Sequence, residues 1–185
     1  MPSRPDKERH RRSIRLRTYD YAQPGAYFVT VCTYGRGCLL GSVADGKVML
    51  SEVGRIVDEE WRRAPLIRPY VNLDAFVIMP NHLHGVIIIT DAAVGARRRL
   101  APTNDVDSPR QFGSPPPHAV SSIIGSFKSA ATRRVNRFRG SPGAPLWQRN
   151  YYEHIIRGDE ELQRIRYYIE CNPTQWEADR YYPAS

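Results

Sequence analysis

Two apolar, β-branched runs, 73–79 and 82–90, are separated by Pro80-Asn81 alone. A connection that short can join two strands only as an antiparallel hairpin. Any fold open to this chain must therefore be built around an antiparallel sheet. Residues 26–34 (AYFVTVCTY), rich in aromatic and β-branched side chains and flanked by Gly25 and Gly35, add a further strand. Residues 151–156 add a fourth. Between them the period changes. Val53, Ile56, Val57 and Trp61 follow Ser51 at helical spacing, which predicts a helix over 51–63, capped by Ser51 and stopped by Pro65. Ile123, Ile124, Phe127, Ala130, Ala131 and Val135 make one face of a second helix over 121–139. A third, over 159–172, is capped by Asp159 and ended by Pro173. Residues 35–47 hold four glycines and read as a turn region with a short strand near 38–43.

The order strand, helix, strand, strand, helix, strand, helix specifies an α+β fold. It is expected to be a ferredoxin-like split β-α-β arrangement: a four-stranded antiparallel sheet with helices packed on one face. A chain of 185 residues suits one domain. That domain is expected over 18–185, after a basic arm at 1–17. It carries an insertion at 91–118 with Arg97-Arg98-Arg99 and Pro115-Pro116-Pro117, whose lack of periodicity reads as disorder. No apolar run approaches the ~18 residues of a membrane span, and the charged N-terminus has no apolar stretch behind it, so neither a membrane span nor a secretory signal is expected. Three cysteines, none in a C-x-x-C pair, argue against a disulfide scaffold or zinc ribbon and favour a reducing cytoplasm.

The formal net charge is +8, and only three of the 27 basic residues are lysines. The excess is localised: residues 1–17 carry a net +5 and residues 108–152 a net +7, which leaves the remainder at −4. Two arginine-rich segments on an acidic body suggest a binder of polyanions, since the guanidinium fork matches phosphate. The alternative is a basic protein whose charge serves solubility.

His82 and His84 lie two apart on a strand and so share a face, while Leu83 turns to the other. Two imidazoles on one face can ligate a divalent cation, although a third ligand must come from elsewhere. They can equally be an inert hydrogen-bonded pair. In the last helix Tyr168 and Asn172 are four apart and share a face, which places a phenol beside an amide. Core packing for Tyr168 and a capping role for Asn172 are the alternatives. Together with basic charge, these pieces suit phosphodiester transfer through a covalent phosphotyrosine. A phenol with a pKa of ~10 needs a nearby cation or proton removal to attack. The sequence names no general base; His154 on the fourth strand is a candidate, with a structural hydrogen bond as its alternative role.

With these residues assembled, the sequence resembles the single-tyrosine HUH transposases, and among them the REP-associated tyrosine transposases of bacteria. The segments that carry the likeness are RRSIRLRTYDYAQPGAYFVT, MPNHLHG, LWQRNYYEHIIR and RYYIECNP, which are spread over most of the chain. The resemblance implies a metal-dependent, transposase-like endonuclease and strand-transferase acting on single-stranded DNA hairpins of palindromic, REP-like repeats. It implies a divalent cofactor, Mg or Mn. Tyr168 would be the nucleophile and become linked to a 5′-phosphate, and His82, His84 and Asn172 would be the metal ligands. Tyr167, ~100° away around the helix, loses register with Asn172 and is set aside. The arm residues Arg11, Arg12, Arg15 and Arg17 and the helix residues Lys128, Arg133, Arg134 and Arg137 would hold phosphates, giving affinity with little sequence choice. A monomer or homodimer without membrane contact, in the bacterial cytoplasm and nucleoid-associated, fits this family. The insertion at 91–118 departs from the family's compact pattern. The competing readings are a catalytically silent binder of repeat-DNA hairpins and an RNA-processing enzyme.

Overall fold

The structure is a computed structural model and describes residues 23–90 and 119–183. The basic arm, with Arg11, Arg12, Arg15 and Arg17, and the 91–118 insertion lie outside the described residues.

Six strands and four α-helices are described: β1 (Gly25–Cys32), β2 (Gly41–Ala44), β3 (Lys47–Leu50), α1 (Glu52–Arg62), α2 (Ala64–Ile67), β4 (Val71–Met79), β5 (His82–Ile89), α3 (Val120–Arg139), β6 (Tyr152–Ile156) and α4 (Asp159–Cys171). The main sheet runs β4-β5-β1-β6 with every neighbouring pair antiparallel. That is the expected ferredoxin-like order, and the hairpin read from 73–90 supplies two of its four strands. Its turn is pinned by the rest of the chain. Thr33 donates from both its backbone N (2.9 Å) and its hydroxyl (3.0 Å) to the Asn81 carbonyl, and Leu40 N donates to the Pro80 carbonyl (2.9 Å).

Strand alternation divides the molecule into two halves. Tyr27, Val29 and Val31 of β1 and Leu83, Ile87 and Ile89 of β5 form one core with Val53, Val57 and Trp61 of α1 and Ile123, Ile124 and Phe127 of α3. Phe28 of β1 and Val86 of β5 point the other way and pack with Ile156, Leu162, Ile165 and Ile169. Two of the three long helices thus share one face, as expected. The third, α4, takes the other, because its apolar stripe needs a surface and α1 and α3 already fill the first. The Trp61 indole meets the Phe127 ring edge-on at 5.1 Å, and it lies so close to β5 that a Cβ on Gly85 would come within 2.6 Å of it.

Ser51 caps α1 as predicted: its hydroxyl accepts from Gly54 N (3.1 Å) and donates to the Leu39 carbonyl (2.7 Å). Pro65 ends α1 but starts the one-turn α2. Asp159 is the first residue of α4, after Gly158, rather than its cap. The 35–50 region holds a complete hairpin, β2 with β3, joined through Asp45-Gly46; the second of these strands is additional to the sequence reading. Among the described residues no helix is long and apolar enough to cross a membrane.

The edge strand β4 is irregular between Leu73 and Phe76, and Asp74 in that break accepts two hydrogen bonds from Arg166 of α4 (2.7 and 2.6 Å). This fork fixes α4 against the sheet two residues before Tyr168. The Arg166 guanidinium holds the Asp74 carboxyl below its ordinary value of 3.8.

Three outcomes test this account. Gly85→Ala is expected to destabilise by ~1–3 kcal/mol through overpacking against Trp61. Gly125→Ala, where a Cβ meets open space on α3, is expected to stabilise by up to about 1 kcal/mol; urea unfolding measures both. The Asp74–Arg166 fork stabilises fully above the unfolded carboxyl value and is lost as pH falls through the lower folded one. Asp74→Asn is therefore less stable than wild type at pH 7, with a gap that closes below pH 3.8 in urea melts run across that range.

Candidate active site

The site is built on the α4 side of the sheet. His82 and His84 project there from β5, both 0% exposed, with ring centroids 4.5 Å apart. Leu83 enters the opposite core, as the alternation predicts. The tautomer of His82 follows from its neighbour. The Asn81 carboxamide nitrogen donates to the carbonyls of Tyr181 (2.7 Å) and Arg36 (3.2 Å), so the carboxamide oxygen is turned to His82 Nδ1 at 2.9 Å. Nδ1 must then carry the proton and Nε2 the lone pair. That Nε2 is buried and has no hydrogen-bond partner. His84 lies with Nδ1 at 2.8 Å from the Thr30 hydroxyl, across the β1–β5 pair, and Nε2 at 3.1 Å from the Tyr168 hydroxyl.

Burial holds both imidazoles neutral. It lowers His82 to about 4 and His84 well below its ordinary 6.5, with the neighbouring His82 adding to the latter. Neutral imidazole is the form that binds metal. Burial also raises the Tyr168 phenol above its ordinary 10; Asp179 adds to the rise, and Arg180 opposes it. The phenol is protonated at neutral pH and lies within hydrogen-bond distance of His84 Nε2. Its ring packs edge-on against Phe28 (6.1 Å) and His84 (5.2 Å).

Asn172, one turn after Tyr168, is 2% exposed. Its amide nitrogen donates to Asp179 Oδ2 (2.9 Å), while its carbonyl oxygen is buried without a partner. Asp179 arrives from the 3-10 turn Pro173–Ala178, which folds the chain back over the sheet. Its carboxylate and the two imidazoles offer ligand atoms that all lie within 4.8 Å of one another. Two unpaired donor atoms, His82 Nε2 and Asn172 Oδ1, therefore sit in a cluster completed by a carboxylate. Such atoms are costly to bury unsatisfied, and nitrogen–oxygen donor sets of this kind suit a divalent cation. The residues fit a metal.

Beside this cluster opens a cleft of about 440 Å³ lined by Phe28, Tyr152, Tyr168, Asn172, Asp179 and Arg180, among others. Tyr167 is directed elsewhere and is 68% exposed, against 38% for Tyr168. The structure thus brings together Tyr168, His82, His84 and Asn172. It adds three residues that the sequence reading did not assign to the site: Asp179 as a potential ligand, and Thr30 and Asn81 as orienting partners. Asn81 stands beside His82 in the hairpin turn. Asp179 lies in a stretch without periodicity and carried no comparable signal.

The basic residues of α3 are placed on the far side of the sheet. Lys128 donates to the carbonyls of Gln148 (2.6 Å) and Arg149 (3.1 Å), and burial lowers its pKa. Arg134 is paired with Glu60 (2.7 Å) and Glu59 (2.5 Å) of α1. Arg133 and Arg137 are exposed. His154 of β6 is hydrogen-bonded to Glu161 of α4 at 2.7 Å, the structural role anticipated as its alternative.

No protein-family model matches the chain. An uncharacterized protein of Haemophilus influenzae is 38% identical over 173 residues, which cover 94% of this chain and 93% of that protein. Among solved structures, a REP-associated tyrosine transposase bound to a REP hairpin is similar with a TM-score of 0.56 and 21% identity, over 88% of this chain and 73% of that one. The likeness read from the motifs is matched by a likeness of fold.

Asn81 holds the His82 tautomer without being a ligand itself. Removing such an orienting partner typically costs ~10–100-fold in metal affinity. Asn81→Ala is expected to weaken Mn²⁺ binding by that factor, read from the free-ion signal in an electron paramagnetic resonance titration.

Proposed function

We propose that this chain, which belongs to one family with the Haemophilus influenzae protein and has the fold of a REP-associated tyrosine transposase, is a metal-dependent endonuclease and strand-transferase. Its substrates are single-stranded DNA hairpins of palindromic repeats. The observation that carries this reading is the 3.1 Å contact between the Tyr168 hydroxyl and His84 Nε2, in a cluster where His82 Nε2 and Asn172 Oδ1 lack partners. A structural tyrosine needs no such neighbours; a nucleophile for phosphoryl transfer does.

Tyr168 attacks the scissile phosphorus. Its oxygen forms the new bond to the 5′-phosphate as the bond to the 3′-oxygen breaks. The phenolic proton passes to water, and the departing oxygen takes one from water to become a 3′-hydroxyl. Strand transfer is the reverse step with a different 3′-hydroxyl. His82, His84, Asp179 and Asn172 would hold the metal, Mg or Mn, whose chemistry is to polarise the phosphoryl oxygen and stabilise charge in the transition state. Thr30 and Asn81 orient the two imidazoles, and Phe28 fixes the phenol ring between sheet and helix.

Backbone phosphates of the hairpin would be held away from the cleavage point. On α3, Arg133 and Arg137 are exposed for this role, while Lys128 and Arg134 support it indirectly through the loop and helix they tie down. Arg11, Arg12, Arg15 and Arg17 of the N-terminal arm are proposed as further phosphate contacts. The repeat hairpin as substrate follows the one bound to the similar transposase and the sequence motifs.

The test uses purified protein and labelled single-stranded hairpins made from repeats flanking its own gene, with Mg²⁺ or Mn²⁺, resolved on a denaturing gel. A DNA-linked protein band is expected that needs the metal and is absent in Tyr168→Phe, which still binds the hairpin within a few fold of wild type. Equal cleavage by Tyr168→Phe rules out this nucleophile. Tight hairpin binding without a covalent band in either metal assigns the chain to the silent repeat-DNA binders.

A further inference from the structure

Phosphodiester cleavage concentrates negative charge at one point, and beyond the metal proposed above few side chains at the cleft beside Tyr168 carry positive charge to meet it. The two charged residues that line the cleft are Asp179 and Arg180. Arg180 is the one cation among the described residues that line it. Of the described basic residues singled out above, Arg133 and Arg137 stand on α3, Arg166 grips Asp74, Arg134 grips Glu59 and Glu60, and Lys128 is spent on two carbonyls.

Arg180 is also held still. One of its terminal nitrogens donates to the Tyr181 hydroxyl (2.6 Å), and its guanidinium carbon lies 4.7 Å from the centroid of that ring. Tyr181 is itself locked, 8% exposed and packed 4.6 Å from the His82 ring. Its carbonyl accepts from Asn81, and its backbone N donates to Asp179 Oδ1 (2.7 Å). Arg36 supports the arrangement from another segment: it also lies over the Tyr181 ring, at 5.3 Å, and donates to the Arg180 carbonyl (3.4 Å). Its backbone adopts φ 57°, a left-handed conformation uncommon outside glycine. A guanidinium anchored through one nitrogen, with its remaining N–H groups unspent at the edge of a cleft, is organised in advance to bind oxygens.

We propose that Arg180 is a catalytic residue that binds the nonbridging oxygens of the scissile phosphate while Tyr168 attacks. The inference rests on the function proposed above. Arg180 keeps all its protons throughout. As the Tyr168–phosphorus bond forms and the bond to the 3′-oxygen breaks, it offsets the charge gathering on the phosphoryl oxygens, and the metal site is left to its own ligands.

The experiment measures single-turnover cleavage of the labelled hairpin at saturating protein with Mn²⁺, beside hairpin affinity and Mn²⁺ affinity. Arg180→Ala is expected to slow cleavage ~100-fold or more, the usual loss for a transition-state donor. Hairpin and Mn²⁺ affinities are expected to stay within a few fold, and added guanidinium ion is expected to restore part of the rate. Arg180→Lys falls between, because an ammonium lacks the fork. Tyr181→Phe, which removes only the anchoring hydroxyl, slows cleavage by a smaller factor and decides the matter if Arg180→Ala does not fold. Cleavage by Arg180→Ala at the wild-type rate overturns the proposal while leaving the proposed function standing. So does a slow Arg180→Ala that guanidinium leaves unchanged alongside Tyr181→Phe at the wild-type rate. A wild-type protein that forms no covalent product overturns both.

Discussion

The pairing of β1 with β5 at the centre of the sheet, with Thr30 opposite His84 and Cys32 opposite His82, determines which side of the molecule presents the two histidines. Side chains alternate along a strand, so a slip of one residue would turn both histidines into the core beneath α1 and α3. The slip is prevented by what lies between them. Val29, Val31 and Leu83 are each fully buried on the other side, and moving them to the α4 side would expose them to a site built for polar atoms. The same register brings the Thr30 hydroxyl under His84. Hydrophobic burial on one side of the sheet thus holds the geometry of the two imidazoles on the other.

The polar side runs at an energetic cost. His82 Nε2 and Asn172 Oδ1 are buried without partners, and each such group costs about 1–3 kcal/mol. A chain under selection for stability alone would have filled these positions with apolar residues, as it did on the opposite side. The expenditure is concentrated within reach of one carboxylate and one phenol, which is how functional sites depart from the packing rules that the rest of the chain obeys. The surrounding anchors are correspondingly firm: a forked ion pair from Asp74 to Arg166, a turn pinned by Thr33, and an amide at Asn81 whose two donors are spent on carbonyls from distant segments.

Much of this was legible in the sequence because it depends on local spacing. Two strands separated by two residues must pair with each other, Ser51 could be recognised as a cap, and the family resemblance, with the one-turn interval to Asn172, pointed to Tyr168 rather than to its more exposed neighbour. What was not legible depends on contacts between distant segments. Helical spacing shows that Leu162, Ile165 and Ile169 of α4 form a stripe, but not which side of the sheet is still open to receive it. It shows that Lys128 and Arg134 stand on a helix, but not that carbonyls and glutamates already claim them. Strands β2 and β3 are four residues each, too short for alternation to announce the second. Asp179 and Arg180 follow a proline and a 3-10 turn, where no period exists to project a direction.

The C-terminal segment completes the site. The histidines come from β5, the phenol and amide from α4, and these alone leave the neutral pair without an ionised ligand. The 3-10 turn after Pro173 brings Asp179 to the imidazoles and sets Arg180 at the cleft, while Tyr181 closes over His82. A carboxylate and a guanidinium adjacent in sequence are thereby divided between two tasks, one facing the donor cluster and the other the open cleft. The separation relies on Tyr181, whose backbone N–H draws one oxygen of Asp179 toward it and whose hydroxyl anchors Arg180. Without that ring the two opposite charges would be free to neutralise each other, and the cleft would lose its cation at the place where the proposed phosphoryl transfer needs it.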